Sequence, residues 1–217
     1  MKYLFLLCCI SVFTLLSCGQ KPDSIVLRLD SLDEISGHRP EILGMPKIID
    51  SDQGRAIEFD GIGDALVLDV NPLAGFEAFT LEVVFRPDAG GSPEQRFVHL
   101  QEEDEHRALI ETRLTGDGQW FLDTFLKSGE SECTLYAEDH LHPVGKWFHA
   151  ALVYRDGLMR HYVDGLKELE GPVEFAPMRA GQTSVGSRLN RVYWYKGAVR
   201  ALAATGAALE PADFVLR

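Results

Sequence analysis

Residues Gly145–Gly165 read GKWFHAALVYRDGLMRHYVDG. Two strand-like runs are joined by Arg155-Asp156-Gly157, and a second Asp-Gly pair follows at Asp164-Gly165. An Asp-Gly step between runs rich in β-branched and aromatic residues is a hairpin signal, because the twist of the paired strands asks for positive φ at the turn. Nothing in the stretch keeps a 3.6-residue apolar period. It predicts consecutive antiparallel strands and an all-β chain.

The rest of the chain follows the same rule. In FTLEVVFRPD (Phe79–Asp88), Phe79, Leu81, Val83 and Phe85 alternate with Thr80, Glu82 and Arg86, the period of a strand with one buried face. SIVLRLD (Ser24–Asp30) predicts a first strand. WFLDTFLKSG (Trp120–Gly129) is apolar on both faces, as expected of a strand between two packed layers. No long helical period appears, and Pro211 in LEPADFVLR is placed to open a short helical turn near the end. Many short strands punctuated by Gly and Asp turns predict one β-sandwich domain over residues 24–217.

The first residues belong elsewhere. MKYLFLLCCISVFTLLSCGQ carries one early cation, Lys2, then an apolar run from Tyr3 to Leu16. At about 14 residues it is short for a membrane span and suits a signal-peptide core. Its end, Leu15-Leu16-Ser17-Cys18, resembles the lipobox of bacterial lipoproteins. That resemblance implies a signal peptide over residues 1–17, lipid (palmitate) attachment at Cys18, and a short tether over residues 18–23. It also implies anchoring to a membrane of the bacterial cell envelope, at the outer membrane or cell surface. Removing residues 1–17 from the 217 leaves 200 and takes away one cation, so the formal charge moves from −12 to −13. Such an acidic chain is a poor partner for nucleic acid, whose binding depends on Lys and Arg displacing counterions. Cys133 is then left alone and is read as a small, partly buried residue rather than a nucleophile.

GRAIEFDGIGDALVLDVNPLAGFEAFTLEVVFRPD (Gly54–Asp88), the Gly145–Gly165 hairpin and the closing SVGSRLNRVYWYKGAVRALAATGAALEPADF (Ser184–Phe214) together resemble the laminin G-like, concanavalin A-like jelly-roll family. The resemblance implies a concanavalin A-like (laminin G-like) β-sandwich. It does not imply an activity, since the fold hosts lectins, adhesion modules and some glycosidases.

In that family an acidic turn often holds calcium, and Asp60 and Asp64 occupy its positions. Here Arg200 and Ala201 stand where the family's closing strand commonly carries an acidic pair. A turn in which Asp60 and Asp64 cap backbone N–H groups is therefore the preferred reading, and no cofactor is expected. IDSDQGRA lacks the glutamate of a calcium loop and reads as a polar turn. His140 and His142 lack a third zinc ligand nearby in sequence, and His149 reads as a structural residue. Glu102, Asp104 and Arg107 miss the Glu-x-Asp-x-x-Glu spacing of the glucanases that share this fold, so that run reads as a solvated hairpin tip.

RLNRVYWYKG (Arg188–Gly197) is the leading ligand candidate. In a strand, Trp194 would face one way and Tyr193 and Tyr195 the other. Aromatic faces stack on sugar rings, and Arg188, Asn190, Arg191 and Lys196 supply hydrogen bonds to hydroxyls or carboxylates. The expectation is a lipid-anchored module that binds a glycan or a surface protein through Tyr193, Trp194, Tyr195, Arg191 and Asn190. The alternatives are a glycoside hydrolase or lyase whose carboxylate pair comes from distant strands, and a structural interaction subunit of a surface complex.

Overall fold

The computed structural model describes residues 22–102 and 106–216; residues 1–17, read above as a signal peptide, and Cys18 and Asp104 lie outside them. In chain order, β1 (Ser24–Arg28), β2 (Glu41–Leu43), β3 (Lys47–Ser51), β4 (Gly54–Asp60) and β5 (Ala65–Leu68) come first. β6 (Phe79–Pro87), β7 (Glu94–Glu102), β8 (Arg107–Leu114), β9 (Gln119–Ser128) and β10 (Ser131–Tyr136) follow. β11 (His142–Pro143), β12 (Phe148–Arg155), β13 (Leu158–Val163), β14 (Leu166–Pro172), β15 (Gly181–Val185) and β16 (Lys196–Thr205) precede a 3-10 turn at Pro211–Asp213.

These strands form two eight-stranded antiparallel sheets. The back sheet runs β14-β13-β12-β6-β16-β4-β3, with β1 sharing the β4 edge of β16. The front sheet runs β10-β9-β8-β7-β15-β5-β2, with β11 also against β9. The hairpin that opened the sequence reading forms as expected. β12 and β13 pair around Asp156 and Gly157, at φ 51° and 77°, and β13 turns into β14 through Asp164 and Gly165, at φ 49° and 80°. Positive φ at both central residues is the turn twist that matches a hairpin's own.

Alternation decides what fills the space between the sheets. Phe148, Ala150, Leu152 and Tyr154 of β12 stand opposite Phe85, Val83, Leu81 and Phe79 of β6, and all eight belong to the core. Trp120 and Leu122 come in from the front sheet, and Trp120 packs edge-on against Phe85 and Phe148. Aromatic contacts of this kind add to area burial through their edge-to-face geometry.

The outer face of the back sheet is closed by the chain's own end. Glu82, fully buried, accepts the N–H groups of Val215 and Leu216 (3.0 Å each) and the Nε2–H of His149 (2.8 Å). Phe214 sits between Tyr162 and His149. Thr80 and Glu82, on the polar side of their strand's period, are therefore covered by the 3-10 turn and tail. Among the described residues the tail leaves the outer face of the front sheet uncovered.

Candidate functional site

The front sheet's outer face is built by alternation, with one deliberate break. β8 turns Arg107, Leu109, Glu111 and Arg113 outward, and β9 turns out Phe121, Asp123 and Phe125. On β7 the register shifts between Arg96 and Val98. The extra residue lets Phe97 and Val98 both enter the core while Arg96 and His99 both face out. The loop from β15 to β16, residues 186–195, crosses this face; Leu189 donates its N–H to His99 Nδ1 (3.0 Å), and Arg96 donates its N–H to the Tyr193 carbonyl (3.0 Å).

The result is a groove of three adjoining clefts, of about 750, 380 and 260 Å³. Gln101 and Leu189 wall both the first and the second; Arg107 and Arg188 wall both the second and the third. The groove therefore runs from the end of β5 across β15, β7, β8 and β9 to β10.

Its floor holds a dense ion-pair network. Arg113 reaches Asp123 Oδ2 through Nη2 (2.6 Å) and Nε (2.8 Å), Glu94 Oε2 through Nη1 (2.8 Å) and Glu111 Oε2 at 3.5 Å. Arg96 meets Glu94 Oε1 (2.5 Å) and Glu111 Oε2 (3.0 Å). Glu111 and Asp123 are direct cross-strand neighbours, with Cβ atoms about 5 Å apart by strand geometry. Burial, and then the Asp123 charge, push the Glu111 carboxyl up to about 8 against the pull of Arg96 and Arg113. Asp123 is raised as well, burial outweighing Arg113. A carboxyl that stays protonated at neutral pH can donate a hydrogen bond, which an ionised one cannot.

The residues picked from the sequence fare unevenly. Arg191 and Tyr193 lie at φ 62° and 60°, so the loop does not keep a strand's alternation. Tyr195 is fully buried, stacked on Phe97 (4.6 Å) and near Phe59, a core residue that no ligand reaches; this corrects its reading as a binding aromatic. Trp194 is half-buried. Tyr193 is exposed, with the Arg96 guanidinium 4.2 Å over its ring. Asn190 lines the middle cleft, whereas Arg191 turns away to pair with Glu41 (3.0 Å). The residues that carry most of the groove, Arg96, His99, Gln101, Glu111, Arg113 and Asp123, were not singled out. Glu102, read as solvated, is buried and accepts the N–H of Arg179.

The acidic turn is a capped turn. Asp60 Oδ1 accepts from the N–H groups of Ile62 (2.8 Å), Gly63 (2.9 Å) and Asp64 (3.2 Å). Asp64 accepts from Met45 N–H (2.7 Å) and Asp60 N–H (3.2 Å). Burial works to raise the Asp60 pKa, but its backbone donors, led by Gly63, hold it below the usual carboxylate value. Lys47 and Lys196 share the same cleft. Among the described residues no group of three or more His, Cys, Asp or Glu side chains is arranged to hold a metal ion. His142 donates to or accepts from Glu168 (2.7 Å) and lies against Trp120, while His149 is the partner of Glu82.

Comparison with known proteins places this geometry. Domain 4 of AbnA, a GH43 extracellular arabinanase from Geobacillus stearothermophilus, solved in complex with arabinotriose, matches with a TM-score of 0.60 at 16% identity, over 90% of this chain and 88% of that one. The binding domain of botulinum neurotoxin DC in complex with SialylT matches with a TM-score of 0.63 at 13% identity, over 88% of this chain and 49% of that one. The receptor-binding domain of the botulinum neurotoxin C/D mosaic serotype gives 0.63 at 13% identity, over 87% and 48%. This chain thus spans about half the length of the neurotoxin domains. No curated protein sequence matches it. Residues 60–213 match a family model, and the chain belongs to the concanavalin A-like lectin/glucanases superfamily.

Proposed function

We propose that the chain is an exported lipoprotein, held at the bacterial cell envelope through Cys18, whose sandwich is a non-catalytic module that binds glycan in the front-sheet groove. The observation that carries this reading is the groove itself: an open trough across six strands, lined with guanidinium groups, side-chain amides, the Phe125 ring and the His99 imidazole. Its acidic groups, Glu94, Glu111 and Asp123, are held in place by Arg96 and Arg113. The arabinotriose complex of the arabinanase domain and the SialylT complex of the neurotoxin domain support a sugar-binding use of this fold, at identities that speak for fold alone.

One observation favours a second reading. Glu111, raised to about 8, beside Asp123 in a groove is also the pairing a glycosidase uses, a protonated acid next to a second carboxylate. One experiment separates the two. The protein is incubated with immobilised neutral and acidic polysaccharides, and retention and released reducing sugar are read together. Retention without release supports the binding module. Release that disappears in Glu111→Gln establishes the enzyme. Neither signal overturns both and leaves a protein partner.

A further inference from the structure

Within the groove, cations are not treated alike. Arg96 and Arg113 are paired with the carboxyl groups of Glu94, Glu111 and Asp123. Arg188 is not. Its backbone is fixed at the loop tip, N–H to the Val192 carbonyl (3.1 Å) and carbonyl to the Arg191 N–H (2.8 Å). Its half-buried side chain walls the middle and third clefts, yet among the described residues no hydrogen bond or ion pair reaches its guanidinium. Burial, and then the like charges of Arg107 and Arg96, pull its pKa below the ordinary value. A cation that is partly stripped of water and crowded by other cations is unfavourable on its own and is relieved by an anion.

A second feature points the same way. His99 is 1% exposed and forms the floor of the middle cleft. Because its Nδ1 accepts the Leu189 N–H, its proton sits on Nε2. Among the described residues that buried Nε2–H has no acceptor at hydrogen-bond geometry, although the Gln101 side chain lies close enough to pull on the ring's proton. Burial, followed by Arg188, Arg107 and Arg96, lowers the His99 pKa to about 3, so at neutral pH the ring is a neutral donor with a fixed direction. The chain as a whole carries −12, so a polyanion is not drawn to it by net charge; any attraction is local to this cluster.

Resting on the glycan-binding reading above, we propose that the groove selects sugars bearing an oxyanion, a uronate carboxylate or a sulfate ester, and that the Arg188 guanidinium and the His99 Nε2–H hold that group in the middle cleft. The planar guanidinium matches two oxygens of either anion, and the imidazole N–H takes one.

The test is titration calorimetry of the protein with oligogalacturonate, a sulfated dextran oligosaccharide and a neutral arabino-oligosaccharide, each at low and high salt. The expected result is tighter binding of an anionic probe than of the neutral one, weakened by salt. Whichever anion binds better identifies the source. Arg188→Ala lowers the affinity for that probe about tenfold or more and leaves the melting temperature nearly unchanged, since among the described residues no hydrogen bond or ion pair holds the guanidinium. Arg188→Lys restores part of it, and Arg155→Ala, outside the groove, restores or removes nothing. Equal binding of the neutral probe with Arg188→Ala silent overturns the anion site and leaves the glycan module standing. An equal loss in Arg155→Ala overturns it too, as general charge attraction. Absence of binding to all three probes overturns the glycan reading itself.

Discussion

Replacing Glu111 by Gln should remove much of the pH dependence of this domain's stability. Glu111 is 3% exposed, lies opposite Asp123, and has Arg96 and Arg113 at 3.0 and 3.5 Å. Burial and the Asp123 charge carry its carboxyl from 4.5 to about 8 in the folded protein. The folded state therefore keeps a proton that the unfolded chain has already lost. The stability this group contributes is fully present below about pH 4.5, falls as pH rises, and is gone above about pH 8. At about 1.4 kcal/mol per unit, a shift of about 3.5 units sets a ceiling of about 5 kcal/mol. The opposing pull of the two arginines is already contained in that value, so a loss on the order of a few kcal/mol, up to this ceiling, is expected. Gln has the shape of the protonated acid and no proton to lose. Urea unfolding at pH 5, 7 and 9 should show Glu111→Gln gaining on the native protein steadily between pH 5 and 8, then running parallel. Parallel curves across the whole range would mean that Glu111 is ionised in the fold like any paired surface carboxylate, and the account of the groove floor would be wrong.

Other parts of the structure make their own predictions. Phe214→Ala should cost about 3 kcal/mol and speed exchange of the Val215 and Leu216 amides, which Glu82 holds; unchanged exchange would mean the tail does not depend on that anchor. Asp60→Ala, which strips three N–H groups of their acceptor, should cost about 1–2 kcal/mol, and EDTA should leave the native melting temperature where it is. A clear rise in melting temperature with millimolar calcium would contradict the capped-turn reading. Tyr195→Ala should destabilise by about 3–5 kcal/mol, whereas Tyr195→Phe should be close to neutral because the buried hydroxyl has no hydrogen-bond partner among the described residues. Tyr193→Ala should weaken glycan retention at unchanged stability. Cys18→Ala should move the protein from membrane to soluble fractions, and continued membrane retention would refute the anchor.

What the sequence revealed follows from which features are local. The turns at Asp156-Gly157 and Asp164-Gly165 declare themselves because residue type and backbone twist meet in two adjacent positions. The inward set Phe79, Leu81, Val83 and Phe85 is equally plain, since period two needs no knowledge of the partner strand. The run from Trp120 to Gly129 differs from the sequence expectation in one respect. Its second apolar face does not meet another layer; Phe121 and Phe125 help line an outward face under Tyr136 and Arg107.

The closing loop was misread for a specific reason. Arg191 and Tyr193 adopt left-handed φ with no glycine to announce it, so counting alternate residues puts Tyr193 and Tyr195 on one face, when Tyr193 is exposed and Tyr195 is core. Arg96 and His99 escaped for the mirror-image reason. They are three apart, which alternation sends to opposite faces, and only the bulge at Phe97 brings them together. The network of Glu94, Glu111, Arg113 and Asp123 is assembled from three strands, and no spacing along the chain records which strands are neighbours.

The central claim is that glycan binds across the outer face of the front sheet. Gln182 is exposed on β15, walls the largest cleft, and points away from the core. Gln182→Trp projects a bulky ring into that cleft and narrows it without touching the packed interior. The measurement is retention of the native protein and this variant on the polysaccharide that the native protein binds best, with melting temperatures alongside. The account predicts retention by the native protein, its loss in the variant, and equal melting temperatures. Undiminished retention by the variant would put the sugar elsewhere on the molecule and contradict the assignment of the groove.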